Sequence, residues 1–518
     1  MERIKLSDLA EKEGKLVEIK PDELMKLPKP YEEISEKFSE LQIGEEYVSE
    51  VDRFVAIDLE WKPKNEEEEK ELLAKFLSGL KKLLDKEANW TFLYPLLLSL
   101  DYCTRCKSCS SACHVYLASG KKEIYRPTFR AEVLRRILNG IRGNFRAKFF
   151  GELSLNAKVV LRLAELAYRC NLCRRCTQFC PIGVDNALIT REIRKLFAQE
   201  LGIAPKALHA QGTLKQLKTG SSTGLKPEGF RDLILFLEEE ILERTGKRIQ
   251  IPVDKKGSEI LLIHNAGDYL SRPENVIAYA LIFEEAGLDW TLSSETFGYD
   301  VVNYGVWFDD VQLARIALRH VEIARKLEVN KIVIGECGHA HKALIAVADR
   351  LLPEDYRIPR ESSINLLWKL TKKLNLDPSK NDFPVTLHDP CNIVRNLGIV
   401  EPQRKILQKI CPQFREMDPS GVYNYCCGGG GGLAIINSLN FPDFRNKISA
   451  RLKFSQILRA FQDLELTQKK FVCAPCSNCR STLRDLFEHY NAKKFGLGYC
   501  SLSELIANSM VEHDFLEF

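Results

Sequence analysis

Apolar positions recur at helical spacing in three stretches of the first two hundred residues. Leu73, Phe76, Leu77, Leu80 and Leu84 make one stripe. Asn65, followed by Glu66, Glu67 and Glu68, reads as an N-cap with acids in the first turn, where they favour the positive end of a helix dipole. Such a stripe must be covered, either as a lid on the chain's own core or as a docking surface for a partner subunit. Residues 129–138 and 157–168 carry the same periodicity. The pattern then changes. After the Gly-Ser-Pro stretch at 219–227 (TGSSTGLKP), short apolar runs at 259–264 (EILLIH) and 384–388 (PVTLH) each end in His and lead into a turn and a helical segment. Residues 331–340 (KIVIGECGHA) line up without gaps on 470–479 (KFVCAPCSNC), so the second part of the chain reads as a degenerate internal repeat. In that register Cys337 matches Cys476, Ala340 matches Cys479 and Gly267 matches Cys391. Alternating strands and helices predict small parallel sheets, whose ligands collect where strand ends meet helix starts. The expected organisation is an N-terminal helical docking region over 1–100, a helical domain over 101–215, a linker over 216–258, and two α/β halves over 259–375 and 376–518.

A length of 518 residues predicts about three domains. With 45% hydrophobic and 28% charged residues, and 75 basic against 71 acidic side chains, the chain reads as an ordinary folded protein. The near-balanced charge, without a basic tail or aromatic-basic alternation, argues against nucleic acid as a partner. The apolar run at 92–100 is about half of what a membrane span requires, so no transmembrane segment of its own is expected. Residues 1–13 alternate charges without an apolar signal region, which predicts a cytoplasmic protein. There the seventeen cysteines would be kept reduced, and closely spaced ones more often bind metal than pair as disulfides.

The first string is Cys103-x2-Cys106-x2-Cys109-x3-Cys113, and the second is Cys170-x2-Cys173-x2-Cys176-x3-Cys180-Pro181. This is the bacterial ferredoxin run, in which three close thiolates wrap one [4Fe-4S] cube and the fourth reaches the other cube. Cys103, Cys106, Cys109 and Cys180 are therefore expected on one cluster, and Cys170, Cys173, Cys176 and Cys113 on the second. A zinc site closes on four ligands and has no use for two interleaved sets. His114 stands where the other string has Pro181. Helical sequence between the strings predicts a helical ferredoxin module rather than a β-rich one. Arg105, Arg169, Arg174 and Arg175 lie in or beside the strings and could offset cluster charge or simply face solvent.

Near the C-terminus stand Cys391, the pair Cys426-Cys427 followed by Gly428 to Gly432, and Cys476-x2-Cys479. Adjacent cysteines cannot easily both serve one ordinary cube, and five ligands exceed four irons bound once each. Either one cysteine is not a ligand or the cluster is not a plain cube. The glycine run suits a backbone that approaches an inorganic group closely with positive φ, or else a flexible loop. Cys337, His339 and His341 are what remains of the corresponding site in the first half. They could be relic packing, groups facing a substrate pocket, or ligands of a further cofactor. Cys473 falls on the expected strand, aligned with Ile334, and Cys411 and Cys500 have no partners at ligand spacing; each reads as a buried small hydrophobe.

The pattern C-x(n)-CCG-x(n)-C-x2-C resembles the cysteine-rich CCG domain of heterodisulfide reductases and of lactate and glycolate oxidation iron-sulfur subunits. The resemblance covers about residues 100 to 500. The order, a helical ferredoxin-type 2x[4Fe-4S] domain followed by two α/β CCG-type repeats with the first degenerate, is similar to that of the fused catalytic subunit. With only the second motif intact, the DsrK/HmeD branch, associated with dissimilatory sulfite reduction, is the most similar. The resemblance implies a noncubane [4Fe-4S] cluster on Cys391, Cys426, Cys427, Cys476 and Cys479; Gly428, Gly429, Cys337 and His339 are further candidate cofactor-side positions from the reading of the residues themselves. It also implies a place on the cytoplasmic face of the membrane beside a cytochrome b subunit (DsrM-like) and other complex subunits. Quinol-derived electrons would then reduce a disulfide or trisulfide on a small sulfur-carrier protein (DsrC-like) in dissimilatory sulfate reduction. Cleaving a sulfur-sulfur bond takes two electrons while a cubane delivers one, so some site must hold the half-reduced state. The alternatives are a methanogen-type heterodisulfide reductase, expected to carry two complete motifs, and a non-catalytic relay subunit of a lactate, glycolate or glycerol-3-phosphate dehydrogenase.

Overall fold

The computed structural model describes residues 19–28, 31, 63–89, 91–142, 155–440, 444–510 and 516. The readings of residues 1–13, and of 32–62 within the N-terminal region, lie outside these. The chain forms two compact units, both discontinuous in sequence. The first comprises Met1–His209, Trp307–Asp309 and Gly428–Ser455; the second comprises Ala210–Val306, Asp310–Cys427 and Gln456–Phe518.

The described residues of the first unit are helical. Its helix Glu66–Leu83 begins where the cap predicts, with the Asn65 side chain accepting from the Glu68 amide at 2.9 Å. Its buried residues are Leu72, Phe76, Gly79, Leu80 and Leu83, so the covered face is turned slightly from the expected stripe, and Leu73 and Leu77 are half-buried. The face packs inside its own unit: the Phe76 and Phe197 rings lie 5.8 Å apart, and a Cβ on Gly79 would come within 2.9 Å of Glu200. The face carrying Leu72, Phe76, Leu80 and Leu83 is thus covered within its own unit, while Leu73, Leu77 and Leu84 keep part of their surface. Helices Pro127–Arg142 and Ala157–Tyr168 fall on the two further periodic stretches. Asn156 caps the second through Val159 N at 3.0 Å.

The glycine run belongs to this unit and is not a loose loop. Asn171 Nδ2 donates to Gly428 O at 2.7 Å, and Arg194 Nη1 donates to Gly431 O at 2.6 Å. Gly428 has φ +97°, and a Cβ there would lie 2.6 Å from that of Ala450. Gly428→Ala combines a left-handed backbone, about 1–2 kcal/mol, with overpacking, about 1–3 kcal/mol. The expected result is a lowered denaturation midpoint of at least the first of these magnitudes, measured anaerobically by circular dichroism.

The second unit holds two four-stranded parallel sheets of identical topology. Strands β1 (Ile260–Ile263), β2 (Trp290–Thr291), β3 (Lys331–Ile334) and β4 (Arg360–Ser362) follow the order β2-β1-β3-β4. Strands β5 (Val385–Leu387), β6 (Phe414–Arg415), β7 (Lys470–Cys473) and β8 (Leu497–Cys500) follow β6-β5-β7-β8. In each sheet the chain runs first to one side and then to the other, leaving a crevice at the carboxyl ends of β1 and β3, and again of β5 and β7, where α/β folds bind ligands. His264 and Gly267 follow β1, Cys337 and His339 follow β3, His388 and Cys391 follow β5, and Cys476 and Cys479 follow β7.

The expected 216–258 linker is corrected by the structure. Pro227–Thr245 is a helix with Pro at its first position and Gly246 beyond its end at φ +66°. It buries Phe230, Ile234, Leu237 and Ile241 in the same core as the strands. The preceding polar stretch is also fixed: Ser222 donates through its amide (2.9 Å) and its hydroxyl (2.7 Å) to the fully buried Asp300 carboxylate. Between Cys427 and Cys476 stand 48 residues, of which 428–455 belong to the first unit.

Candidate functional site

In the first unit the two cysteine strings share one backbone pattern. Positive φ occurs at Arg105 (58°) and Lys107 (65°) of the first string and at the matching Leu172 (50°) and Arg174 (59°) of the second. Four non-glycine residues in this region represent stored strain that is uncommon outside functional loops. The Leu172 amide points at Cys170 Sγ (3.4 Å) and the Val184 amide at Cys180 Sγ (3.2 Å). The thiols also interleave across the strings. Those that act electrostatically on Cys109 are Cys103, Cys180 and Cys106; those acting on Cys176 are Cys173, Cys170 and Cys113. Burial, with like-charged neighbours adding, pushes Cys109 up to about 11, and burial pushes Cys113 up to about 12. Thiols in that state suit a cationic inorganic partner, and the donor set fits two cubanes.

Of the flanking arginines, Arg105 pairs with Glu132 (3.0 Å), Arg169 with the buried Glu165 (3.0 Å) and Arg174 with Asp185 (2.8 Å). Arg175 donates to Ala112 O at 2.5 Å. Three of the four charges are therefore largely offset by carboxylates. His114, in place of proline, hydrogen-bonds Asn171 Oδ1 through Nε2 at 2.8 Å.

In the second unit, Cys391 opens the short helix Cys391–Asn396 beyond β5, and Cys476 is the N-cap of helix Ser477–His489, with Cys479 in its first turn. The loop carrying Cys426 and Cys427 is stapled to the end of β5. The Asp389 carboxylate accepts from Arg404 (2.8 and 2.5 Å) and from the Gly421 amide (2.7 Å), and Asn424 Nδ2 donates to Asp389 O at 2.9 Å. All five thiols are buried. Hydrogen bonds from Cys426 and then Cys479, with a smaller contribution from His388, hold Cys427 well below the usual thiol range despite its burial. Cys479 likewise lowers Cys476, and Cys479, as the donor, is pushed up. One imidazole joins the thiols: ligand atoms of His388, Cys427 and Cys479 lie within 4.8 Å of one another. His388 was not singled out from the sequence as a site residue. The signal available was positional, since each half has a His immediately after its first strand. Sulfurs from Cys426, Cys427, Cys476 and Cys479 together with this imidazole exceed what one tetrahedral ion takes, and they fit a multi-iron centre.

The first repeat keeps the same turn without the ligands. The Cys337 amide donates to Gly335 O at 2.6 Å, as that of Cys476 does to Ala474 O at 2.6 Å; His341 N to Cys337 O and Arg480 N to Cys476 O are both 3.0 Å. Asn303-Tyr304-Gly305 is the counterpart of Asn424-Tyr425-Cys426-Cys427-Gly428 with the two cysteines missing, a second repeat signal that was readable in the sequence. His341 has both ring nitrogens engaged, with Cys337 O at 2.9 Å and Ser362 Oγ at 2.8 Å, so it is a packing residue. Cys337 Sγ lies 3.2 Å from His339 Nδ1. Cys411, Cys473 and Cys500 are buried in the apolar core.

Comparison with known proteins agrees with these two groups of thiols. Residues 99–184 match the 4Fe-4S dicluster domain, and residues 385–484 match the cysteine-rich domain CCG. The chain is 28% identical over 401 residues to the Hdr-like menaquinol oxidoreductase iron-sulfur subunit 2 of Archaeoglobus fulgidus, covering 69% of this chain and 71% of that protein. It is 25% identical over 399 residues to a subunit of the dihydromethanophenazine:CoB--CoM heterodisulfide reductase of Methanosarcina acetivorans, covering 75% and 89%. It is 23% identical over 287 residues to EtfAB:quinone oxidoreductase of Syntrophomonas wolfei, covering 52% and 37%. No solved structure matches. Among the described residues no helix is long and apolar enough to cross a membrane. The chain thus carries a 4Fe-4S dicluster domain followed by a cysteine-rich CCG domain, and along most of its length it is similar to heterodisulfide reductase-like iron-sulfur subunits.

Proposed function

We propose that this chain is the catalytic iron-sulfur subunit of a quinol-linked membrane complex, of the DsrK/HmeD kind, and that it reduces a sulfur-sulfur bond at its second unit. Cys103, Cys106, Cys109 and Cys180 would hold one cubane, Cys170, Cys173, Cys176 and Cys113 the other, and Cys391, Cys426, Cys427, Cys476 and Cys479 a noncubane four-iron centre. Such a centre supplies one-electron transfer and an iron open to sulfur. The chain's own contribution is to hold the thiols in a dry crevice, to fix the Cys426-Cys427 loop through Asp389 and Asn424, and to place the His388 ring beside Cys427 and Cys479. The overall reaction, R–S–S–R′ + 2e⁻ + 2H⁺ → R–SH + R′–SH, takes its electrons from a membrane cytochrome b partner (DsrM-like). Its substrate would be the disulfide or trisulfide of a small sulfur-carrier protein (DsrC-like), at the cytoplasmic face of the membrane, in dissimilatory sulfate reduction.

The observation that carries this reading is the convergence of four sulfurs and one imidazole at the switch point of the β5–β7 sheet. Supporting it, one relative is by name an Hdr-like menaquinol oxidoreductase iron-sulfur subunit. The reconstituted chain is expected to hold about twelve irons, four per centre, and to show a paramagnetic signal when oxidised that changes on adding thiol, read by anaerobic EPR and iron analysis. About eight irons and no thiol-responsive signal would sink the proposal. The similarity to an EtfAB:quinone oxidoreductase keeps a pure relay as the second reading. A relay predicts a complex that transfers electrons yet turns over no sulfur-sulfur substrate.

A further inference from the structure

The first repeat has lost its ligands at Gly267 and Ala340 but has kept its fold, and its loop after β3 bears directly on the intact site. The Gly338 amide donates to Cys476 Sγ at 3.2 Å. A Cβ on Gly338 would lie 3.1 Å from that sulfur, with Pro390 and Asn392 at 3.7 and 3.8 Å, so glycine is what permits the approach. The next residue, His339, meets Asn478 at 2.5 Å through Nδ1. Asn478 lies between Cys476 and Cys479 in sequence, and its partner His339 is held against Cys337 Sγ. Asn265 Nδ2, from the loop after β1, lies 3.5 Å from the same Cys337 sulfur. This chain of contacts runs from the remnant to Cys476 and Asn478, two residues of the Cys476-x2-Cys479 turn.

We propose that the degenerate repeat survives as the hydrogen-bonding shell of its partner's centre, with Gly338 as the positioning residue that sets the reduction potential through its N–H···S bond to Cys476. An amide aimed at a ligating sulfur stabilises the more negative, reduced state and so raises the potential. The His339–Asn478 contact holds the turn that presents the sulfur. Cys337 buttresses His339 and is not a ligand. The inference presumes the iron centre of the reading above, but not its substrate.

Two substitutions perturb the bond in graded steps. Gly338→Ala keeps the amide but adds a Cβ beside the sulfur; Gly338→Pro adds the same Cβ, removes the donor and sets its ring Cδ where the N–H pointed at the sulfur. Proline is tolerated at a first helical position, and the extended backbone of Cys337 (φ −134°, ψ 101°) suits a residue preceding it. The EPR-monitored redox midpoint of the thiol-responsive centre is read in the full chain, with iron content as the loading control. The expected order is wild type highest, Ala lower and Pro lowest, while the two cubane midpoints stay fixed and Cys337→Ala retains full iron. Equal midpoints for Ala and Pro would overturn the proposal. Should the Pro variant fail to load iron, a wild-type midpoint in the Ala variant overturns it and a lowered one supports it. Loss of iron in Cys337→Ala would make Cys337 a ligand and overturn its buttressing role. If the wild-type chain itself shows no such centre, the functional reading fails first, a result distinct from a normal spectrum with unmoved midpoints.

Discussion

Cys427→Ser is expected to remove the thiol-responsive EPR signal and about four irons per chain, leaving the two cubanes and their spectra intact. Cys427 is the hub of the second unit's thiols: it accepts hydrogen bonds from both Cys426 and Cys479 and has the His388 ring alongside. Serine matches cysteine closely in shape but is a poor ligand for soft iron, so the change tests ligation rather than packing. Because the cubane thiols belong to a different unit, iron at those sites should not respond. The matching control is Cys500→Ala, a core position, which should cost stability through a small cavity but leave the iron count alone. If Cys427→Ser instead retained a full complement of iron and its signal, the five-thiol centre would have to be abandoned.

Arg480→Met is expected to destabilise the second unit by about 3–5 kcal/mol, read as a lowered guanidinium midpoint under anaerobic conditions. The Arg480 side chain is fully buried and donates to Asp268 Oδ1 at 2.8 Å and to Glu336 Oε2 at 3.3 Å, both themselves fully buried. These three residues come from both repeats: Asp268 lies beyond β1, Glu336 beyond β3 and Arg480 beyond β7. Removing the cation strands two carboxylates in a dry interior. Glu336 would still accept the Leu502 and Ser503 amides at 3.1 and 2.9 Å, whereas Asp268 keeps chiefly the Ser477 hydroxyl at 3.0 Å and the more distant Arg272 guanidinium at 3.8 Å. Asp268→Asn combined with Arg480→Met should therefore recover part of the loss. A double variant no more stable than Arg480→Met alone would show that the pair is not the source of the effect.

The features legible in the sequence were those in which spacing itself dictates geometry. The two cysteine strings could be read because x2 and x3 gaps leave the backbone few ways to present the thiols. The repeat could be read because β3 and β7 lead into identical turns at Cys337 and Cys476. The helix at 66–83 announced itself through its cap. What was missed depends on contacts distant along the chain. His388 enters the site only because β5 and β7 are neighbours. The helix 227–245 was hidden by the Gly-Ser stretch before it, whose hydroxyls answer a carboxylate some eighty residues away, although the spacing of Phe230, Ile234, Leu237 and Ile241 was there to be seen. The five glycines read ambiguously because close approach and looseness leave the same trace in composition; the Cβ clearances at Gly428 and Gly432, 2.6 Å in each case, decide for close approach.

The ferredoxin-bearing unit is completed by a segment encoded more than two hundred residues downstream of its last cluster cysteine. The Phe444 ring lies 5.9 Å from that of Tyr125, the Arg451 guanidinium donates to Met25 O, and Asn171 and Arg194 spend their donors on Gly428 and Gly431. Cutting the gene after the second string would strip these partners away and bare their counterparts to solvent. The electron-carrying piece is consequently no detachable cassette. A minimal version would need the downstream segment spliced back on, and a ribosome must finish most of the polypeptide before the earliest-made part can close.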